Sequence, residues 1–351
     1  MNPQTPGPDH DTAIIDAVTE QAVEADRAGF AGICLTEHHF SDYNTYGDPF
    51  LFGSYLAPQL ANAWVILTVA VAPLHNPLKL AERINLLDQL TKGRLIVGIG
   101  PGSSPFEFAG FGRDLSQSAT DTEQVLRIVQ EVLEHDRDDP PYQWKTAFGG
   151  GELLGRIMPA SYRRPHPHFG RGALSDKSTI DTARRGWPLF TGRVGPEAMG
   201  AKFRLYRETL ADAGHAQATI DHCLRWSSVQ KTIWVAETDA EAQRLADEPL
   251  RVQTSLGTRA HQSGPKGTDV SSALAQKTGI RPGDRAGFVE GATIIGSPET
   301  VVSRIKEYQA QGVPGMAMHF TWGHADAEAV RRSFRLFVDE VMPHFADEAA
   351  A

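Results

Sequence analysis

Short apolar runs alternate with longer amphipathic stretches along the first hundred residues. The runs Ala31–Thr36, Val65–Pro73 and Leu95–Gly100 are apolar almost throughout, which is typical of strands covered on both faces. Residues 14–28 and 80–90 place apolar side chains on one face of a helix, and a glycine lies just beyond each of them. This part of the chain therefore predicts parallel strands joined by helices.

The second half repeats this order with a weaker pattern. The predicted helices and strands there are Thr122–His135, Phe169–Leu174, Pro196–Ala213, Val229–Ala236, Thr293–Gly296, Pro298–Gln311, Met316–Phe320 and Ala325–Val341. Repeated βα units without an evident linker favour an α/β fold of the (β/α)8 TIM-barrel type, with residues 1–351 as a single domain. An open, doubly wound sheet is the alternative. Arg251–Gly287 is polar with almost no apolar pattern, so we expect a mobile lid or a disordered insertion there.

Composition narrows the class of protein. The 351 residues are 41% hydrophobic and 22% charged, which argues against disorder, and the formal net charge of -9 does not favour nucleic acid as a partner. No apolar run approaches the length of a membrane span, and no export signal is visible. The two cysteines lie far apart, as in a reduced compartment. We therefore expect a soluble, cytoplasmic protein that acts on a small molecule.

One candidate for acid–base chemistry follows the first predicted strand. His38 and His39 stand next to Glu37, where a barrel places reactive groups. Imidazole suits proton transfer near neutral pH, and the carboxylate can orient or charge one ring. The alternative is that one histidine caps the strand and the other packs. The remaining histidines do not converge at ligand spacing, so no metal site is expected.

Two further segments offer contacts to an anion or a cofactor. The glycines of residues 98–102 follow a strand and allow close approach of the backbone, although a plain tight turn explains them equally well. Ser175, Ser178 and Thr179 follow a weaker strand and can donate hydroxyls to a phosphate or simply cap a helix.

A set of short motifs in order resembles the bacterial luciferase-like flavin monooxygenases, in look closest to the catalytic subunit of bacterial luciferase. The motifs run from about residue 12 to 345 and are Leu35-Thr36-Glu37-His38-His39-Phe40, Pro73-Leu74-His75-Asn76-Pro77, Asn85-Leu86-Leu87-Asp88-Gln89-Leu90, Lys92-Gly93-Arg94, Phe111-Gly112, Pro159-Ala160, Ile220-Asp221-His222-Cys223-Leu224 and Val341-Met342-Pro343. Many short matches in one order are more specific than any single motif.

The resemblance implies a barrel that binds reduced FMN, supplied by a separate flavin reductase, and reacts it with O2. The resulting flavin hydroperoxide would oxygenate an apolar small molecule such as an aldehyde, a ketone or a polycyclic metabolite, and a homodimer is expected. His38 matches the family's active-site histidine, with Glu37 and His39 beside it. The positions matching cofactor contacts are Thr68 and Val69, which form an unusual cis peptide in the family, together with Gly100, Ser103, Leu174, Ser175, Ser178 and Arg193.

The chain also departs from the family pattern. Pro101 and Ala119 stand where two arginines grip the flavin phosphate, so Arg171 or Arg193 would have to compensate. Residues 1–11 contain no strand-like run, so the first barrel strand is either missing or filled irregularly by Asn2–Pro8. These departures keep open a non-catalytic or flavin-poor subunit that binds a partner barrel or a metabolite. A deazaflavin-dependent enzyme is a third possibility.

Overall fold

The fold is a succession of parallel strands and helices, seen in a computed structural model that describes residues 7–40, 43–262 and 285–348. The strands are β1 Gly32–Leu35, β2 Trp64–Val71, β3 Leu95–Gly100, β4 Tyr142–Thr146, β5 Gly149–Leu153, β6 His168–Gly172, β7 Leu189–Gly192, β8 Ser228–Val235, β9 Thr293–Gly296 and β10 Met316–His319. The helices are α1 Pro8–Ala28, α2 Pro49–Leu56, α3 Pro77–Thr91, α4 Pro105–Gly110, α5 Ser118–Glu134, α6 Asp176–Arg184, α7 Pro196–Asp212, α8 Gln217–Trp226, α9 Asp239–Gln262, α10 Arg285–Ala292, α11 Pro298–Ala310 and α12 Ala327–Leu336.

The described chain divides into two compact units. One, the 22–172 unit, contains residues 22–172 and 260–262; the other, the 173–348 unit, contains residues 7–21, 173–259 and 285–348. In the 22–172 unit, β1, β2, β3 and β6 pair in that order and all in parallel. In the 173–348 unit, β8 pairs in parallel with β7, β9 and β10. The predicted parallel βα organisation is thus confirmed within each unit.

Apolar side chains and close backbone packing hold the helices of the 22–172 unit on its sheet. Every residue of β3 is buried, as its unbroken apolar sequence predicts. Gly53 of α2 lies between Leu35, Val65 and Leu87, and a Cβ there would come within 3.3 Å of all three. The antiparallel hairpin of β4 and β5 is separate from the parallel sheet of this unit.

The structure describes parts of two segments in which the sequence predicts no regular helix or strand, Arg251–Gly287 and Asn2–Pro8. Arg251–Gly287 is not featureless at its ends: residues 251–262 continue α9, with Gln253 and Leu256 buried, and residues 285–287 begin α10. Residues 263–284 lie outside the described residues. Of Asn2–Pro8, residues 2–6 also lie outside them, and Pro8 begins α1, so the first strand of the described chain is β1. Among the described residues, no helix is long and apolar enough to cross a membrane.

Candidate active site

The carboxyl ends of three neighbouring strands bring five ionisable side chains together in the 22–172 unit. Glu37, His38 and His39 follow β1, His75 follows β2, and Glu107 lies in α4 just after β3. Because parallel strands end at the same edge of a sheet, residues up to 69 positions apart meet there. The site therefore combines three imidazoles with two carboxylates.

Glu37 is the buried acceptor at the centre of this cluster. Its side chain is 2% exposed and accepts hydrogen bonds from His39 Nε2 at 3.0 Å, His75 Nε2 at 3.1 Å and the Val71 N–H at 2.8 Å. Burial alone would raise the pKa of Glu37, but the interaction with His75 and these hydrogen bonds lower it to about 2. Glu37 is consequently an ionised carboxylate that fixes two imidazole rings.

Glu107 holds the third imidazole. Its Oε1 lies 2.9 Å from His38 Nδ1 and also accepts the backbone N–H of His39 at 3.1 Å. Ser104 caps α4 and accepts the Glu107 N–H, which places the glutamate in the first turn of the helix. A carboxylate only accepts, so His38 carries hydrogen on Nδ1 and presents Nε2 to a bound molecule. His38 is 37% exposed, which leaves this nitrogen within reach of a ligand.

Aromatic side chains surround the histidines. Phe40 has a left-handed backbone with φ of 62° and is 59% exposed, and its ring lies 5.2 Å from that of Phe111. The rings of Tyr43 and Phe111 make edge contacts with His38 at 4.9 Å and with His39 at 4.8 Å. Gly110 has no side chain where a Cβ would come within 2.5 Å of the Phe40 ring. The edge of the cluster is therefore an apolar, partly exposed surface.

The residues expected to face a cofactor ring include Val69, whose side chain packs closely against two glycines. The Thr68–Val69 peptide is cis, as the resemblance predicted. A Cβ at Gly100 would overlap Cγ2 of Val69, and a Cβ at Gly172 would come within 3.0 Å of Val69 Cγ1. Two glycines thus make room for the Val69 side chain. Ser103 is exposed and lies in the loop between β3 and α4.

The residues expected to face a phosphate lie in the 173–348 unit, at the start of α6. Ser175 is the N-cap: its Oγ accepts the Ser178 N–H and lies 2.9 Å from Ser178 Oγ, so both hydroxyls are engaged within the cap. Lys202 Nζ donates to Leu174 O at 2.8 Å, and burial lowers the pKa of this lysine. Arg193 follows β7 with φ of 70° and is half-buried. A cation and a helix N-terminus therefore meet at this position.

The structure also identifies site residues that the sequence reasoning missed. Arg171, one of the two arginines considered for the phosphate, forms an ion pair with Glu123 at 2.5 Å in the 22–172 unit. Lys202, which lies at the expected phosphate position, was missed. Glu107 and His75 were also missed. Ser104-x-x-Glu107 matches the capping-box pattern, which would have predicted a glutamate at a helix start but not its histidine partner. Within the described ranges, no group of three or more His, Cys, Asp or Glu is placed to hold a metal ion.

Comparison with known proteins assigns this arrangement to a class. The chain aligns over 98% of its length with the FMN-bound oxygenating constituent of 3,6-diketocamphane monooxygenase from Pseudomonas putida, a type II Baeyer–Villiger monooxygenase, of which it covers 95% (TM-score 0.73, 21% identity). The fold is therefore that of the luciferase-like (β/α)8 α/β proteins, as predicted. Residues 1–315 match the luciferase-like monooxygenase model, and the chain belongs to that family. Members of the family use flavin cofactors, FMN in many and F420 in some.

Two curated relatives show how far the similarity extends. The alkanal monooxygenase alpha chain of Photorhabdus luminescens is 26% identical over 206 residues, 58% of this chain and 55% of that protein. The chain thus spans about half the length of this relative. Limonene 1,2-monooxygenase of Rhodococcus erythropolis is 26% identical over 334 residues, 91% of this chain and 79% of that protein.

Proposed function

We propose that this protein is a two-component monooxygenase that uses reduced FMN, delivered by a separate flavin reductase, and O2 to oxygenate an apolar small molecule. The observation that carries the proposal is the pair of His38 and Glu107, which sits at a strand end beside exposed aromatic rings. An aldehyde, a ketone or a polycyclic metabolite would suit the apolar surface of Phe40 and Phe111. The family's named members include proteins that act on alkanals and on limonene, which supports an apolar substrate.

In this proposal His38 is the catalytic acid or base. Its Nε2 faces outward because Glu107 holds Nδ1, so the ring can take a proton from a bound molecule or give one to it. Glu107 positions the ring and stabilises its protonated form. Glu37 and His39 support the His38–Glu107 pair. The backbone N–H of His39 also donates to Glu107, and the His39 ring donates to Glu37.

Most of the residues proposed to contact the flavin ring belong to the 22–172 unit. In the 22–172 unit, Thr68, Val69, Gly100 and Ser103 would contact the flavin, and the missing side chain at Gly100 leaves the space that the Val69 side chain fills beside them. Reduced flavin, when bound, supplies the electrons that activate O2.

In the 173–348 unit, Leu174, Ser175 and Ser178 would contact the phosphate, and Arg193, which follows β7, is the proposed contact on the ring side of the flavin. Phosphate binding at the cap would require one serine hydroxyl to exchange its partner within the cap for a phosphate oxygen. Lys202 offers the positive charge that Pro101 and Ala119 lack. The donor set present therefore fits a phosphate through hydroxyls, a helix N-terminus and one ammonium.

Flavin binding and turnover test this proposal together. The purified protein is titrated with oxidised and reduced FMN, riboflavin and F420 and followed by absorbance and fluorescence, and saturable binding of reduced FMN is expected. Turnover with a reductase and a panel of aldehydes and cyclic ketones should fall by about 10²–10⁴-fold in His38→Ala. His344→Ala, at an exposed position, is the matched control.

The other outcomes each select a different function. If neither redox state of FMN binds, the chain is better explained as a flavin-poor subunit that binds a partner or a metabolite. Preferential binding of F420 would select the deazaflavin-dependent alternative. Equal turnover of His38→Ala and the wild type would remove His38 from the chemistry even if FMN binds.

A further inference from the structure

His75 is a third imidazole of the cluster, and the proposed function gives it no role. Its side chain is 10% exposed, its Nε2 lies 3.1 Å from Glu37 Oε2, and its Nδ1 lies 3.3 Å from Nη1 of Arg83. Arg83 in turn reaches Oδ2 of Asp48 with Nη2 at 3.4 Å. The ring of Phe50 packs against His75 edge-on at 6.2 Å. A chain of polar contacts thus runs from the protein surface to Glu37.

The direction of each hydrogen bond in this chain follows from its end groups. A guanidinium has only donors, so Nδ1 of His75 must accept from Arg83 and carries no hydrogen. A carboxylate only accepts, so Nε2 of His75 must donate to Glu37. The two requirements together allow a single tautomer of His75, with hydrogen on Nε2 alone.

The other two imidazoles differ from His75 at their second nitrogen. His39 also donates to Glu37 through Nε2, and a Cβ on Gly47 would come within 2.9 Å of its Nδ1, so that nitrogen faces the backbone of Gly47. His38 donates through Nδ1 to Glu107 and keeps Nε2 for a ligand.

We propose that Arg83 is a positioning residue that keeps a proton off Nδ1 of His75, so that His75 serves Glu37 as a neutral hydrogen-bond donor. The groups facing His75 are Glu37 on one side and Arg83 on the other, with Asp48 behind Arg83 and His39 across Glu37. Without Arg83, His75 could take a second proton and form an imidazolium–carboxylate pair with Glu37. Glu37 would then hold His39 less firmly, since its charge would be shared with a cation.

Histidine nitrogen shifts test this inference without any cofactor or substrate, so its outcome is independent of the proposed function. The protein is labelled with ¹⁵N-histidine, the His75 signals are assigned with His75→Gln, and spectra are recorded at about pH 6, where an ordinary imidazole is largely protonated. The wild type should show His75 with a protonated Nε2 and an unprotonated Nδ1. Arg83→Gln should move the Nδ1 signal to the protonated position, while Arg83→Lys, which keeps a donor, should restore the wild-type spectrum.

Two further variants keep the test decisive. Lys79→Gln removes an exposed cation from the same helix and should leave His75 unchanged, which separates Arg83 from a general loss of charge. If Arg83→Gln does not fold, Asp48→Asn releases the far side of Arg83 while an asparagine still caps α2, and partial protonation of Nδ1 is expected. A doubly protonated His75 in the wild type, or identical spectra for the wild type and a folded Arg83→Gln, would overturn the proposal.

Discussion

At the scale of single residues, the stability of the folded chain depends on whether Glu37 is ionised. The carboxylate is buried yet keeps its charge, because its hydrogen-bond donors come from β2 and from two histidines. Its folded-state pKa of about 2 lies below its ordinary value of 4.5, so the stability that it contributes is present above that ordinary value. This contribution is lost as the pH falls toward 2, and stability in acid therefore reports on the site directly.

Glu37→Gln should remove this dependence on pH. Between about pH 6 and pH 3 the wild type should lose about 2 kcal/mol of unfolding free energy that the variant does not lose. At about pH 6 the variant should also be less stable, by about 1–3 kcal/mol, since an amide cannot accept from all three donors. Urea unfolding at several pH values measures both effects. Glu134→Gln, an exposed change of the same kind, should keep the wild-type slope; equal slopes for Glu37→Gln and the wild type would contradict the assignment.

Gly100 is a second position at which a single added atom, a Cβ, should change the stability of the fold. A Cβ there would overlap the Val69 side chain, and both residues belong to paired strands that cannot move apart cheaply. Gly100→Ala should therefore lower the unfolding free energy by about 1–3 kcal/mol. Gly155→Ala is the matched control, because nothing lies within 4 Å of its added Cβ, and it should stay within about 0.5 kcal/mol of the wild type. Urea midpoints at a constant m-value make the comparison, and an undisturbed Gly100→Ala would mean that Val69 can yield.

How much of the site could be predicted differs between the histidines and their partners. His38 and His39 were found because they directly follow an apolar run that reads as a strand. Glu107 and His75 could not be found in the same way, because their roles depend on the register of β1, β2 and β3, which no local pattern specifies. The sequence therefore indicates candidate residues at the end of a single strand. The contact between Glu107 and His38 is seen only once the strands are placed side by side in the fold.

At the scale of secondary structure, the prediction succeeded where burial is continuous and failed where it is not. Leu95–Gly100 was predicted with its exact bounds, since six apolar residues are buried on both faces. Helix α1 begins at Pro8, six residues before the predicted start, because its first turns are largely exposed and carry no apolar period. Helix α9 continues through Pro249, which in a sequence argues for a helix end. The hairpin of β4 and β5 was missed because Gly149–Gly151 resembles a loop.

Strand β8 carries a buried lysine that joins the loop after β7 to the end of α10 in the 173–348 unit. Lys231 is fully buried, and its Nζ donates to Val194 O at 2.9 Å and to Gly291 O at 2.6 Å, beside the Tyr308 ring. Burial and the charge of Arg304 lower the pKa of Lys231 to about 7, from an ordinary value of 10.5. The folded chain therefore binds fewer protons than the unfolded chain between these two values, so stability rises with pH in that range.

Lys231→Met should abolish this rise. The wild type should gain about 2 kcal/mol of unfolding free energy from this group between about pH 7 and pH 9, and the variant should not. The variant also leaves two carbonyls without their donor, so its stability at about pH 9 should be lower than that of the wild type. Guanidinium unfolding across this range provides the measurement, with Lys306→Met on α11 as a control that removes a lysine elsewhere. Parallel pH curves for Lys231→Met and the wild type would show that the lysine keeps its proton when buried.

At the scale of the whole molecule, exposed apolar side chains on α2 and α3 bear on assembly. Leu51 and Tyr55 lie four residues apart on α2 and are 72% and 56% exposed, and Leu86 and Leu90 are four apart on α3, also exposed. Both helices belong to the 22–172 unit, and Gly53 of α2 packs against Leu87 of α3. Large exposed apolar residues repeated on one face of each helix are typical of an interaction surface rather than of a surface in water.

We expect this surface to form a homodimer, as the family resemblance implied. A symmetric dimer brings the same helices of two chains together, so one substitution places two charges in the interface and its effect is doubled. Leu51→Glu combined with Leu90→Glu should therefore convert the dimer to a monomer in sedimentation velocity, with an unchanged circular dichroism spectrum. Leu154→Glu alters a leucine that is just as exposed, at 73%, but lies outside these helices, and it should leave the dimer intact. A wild-type monomer, or a dimer that survives the double substitution, would mean that these leucines face solvent or a different partner.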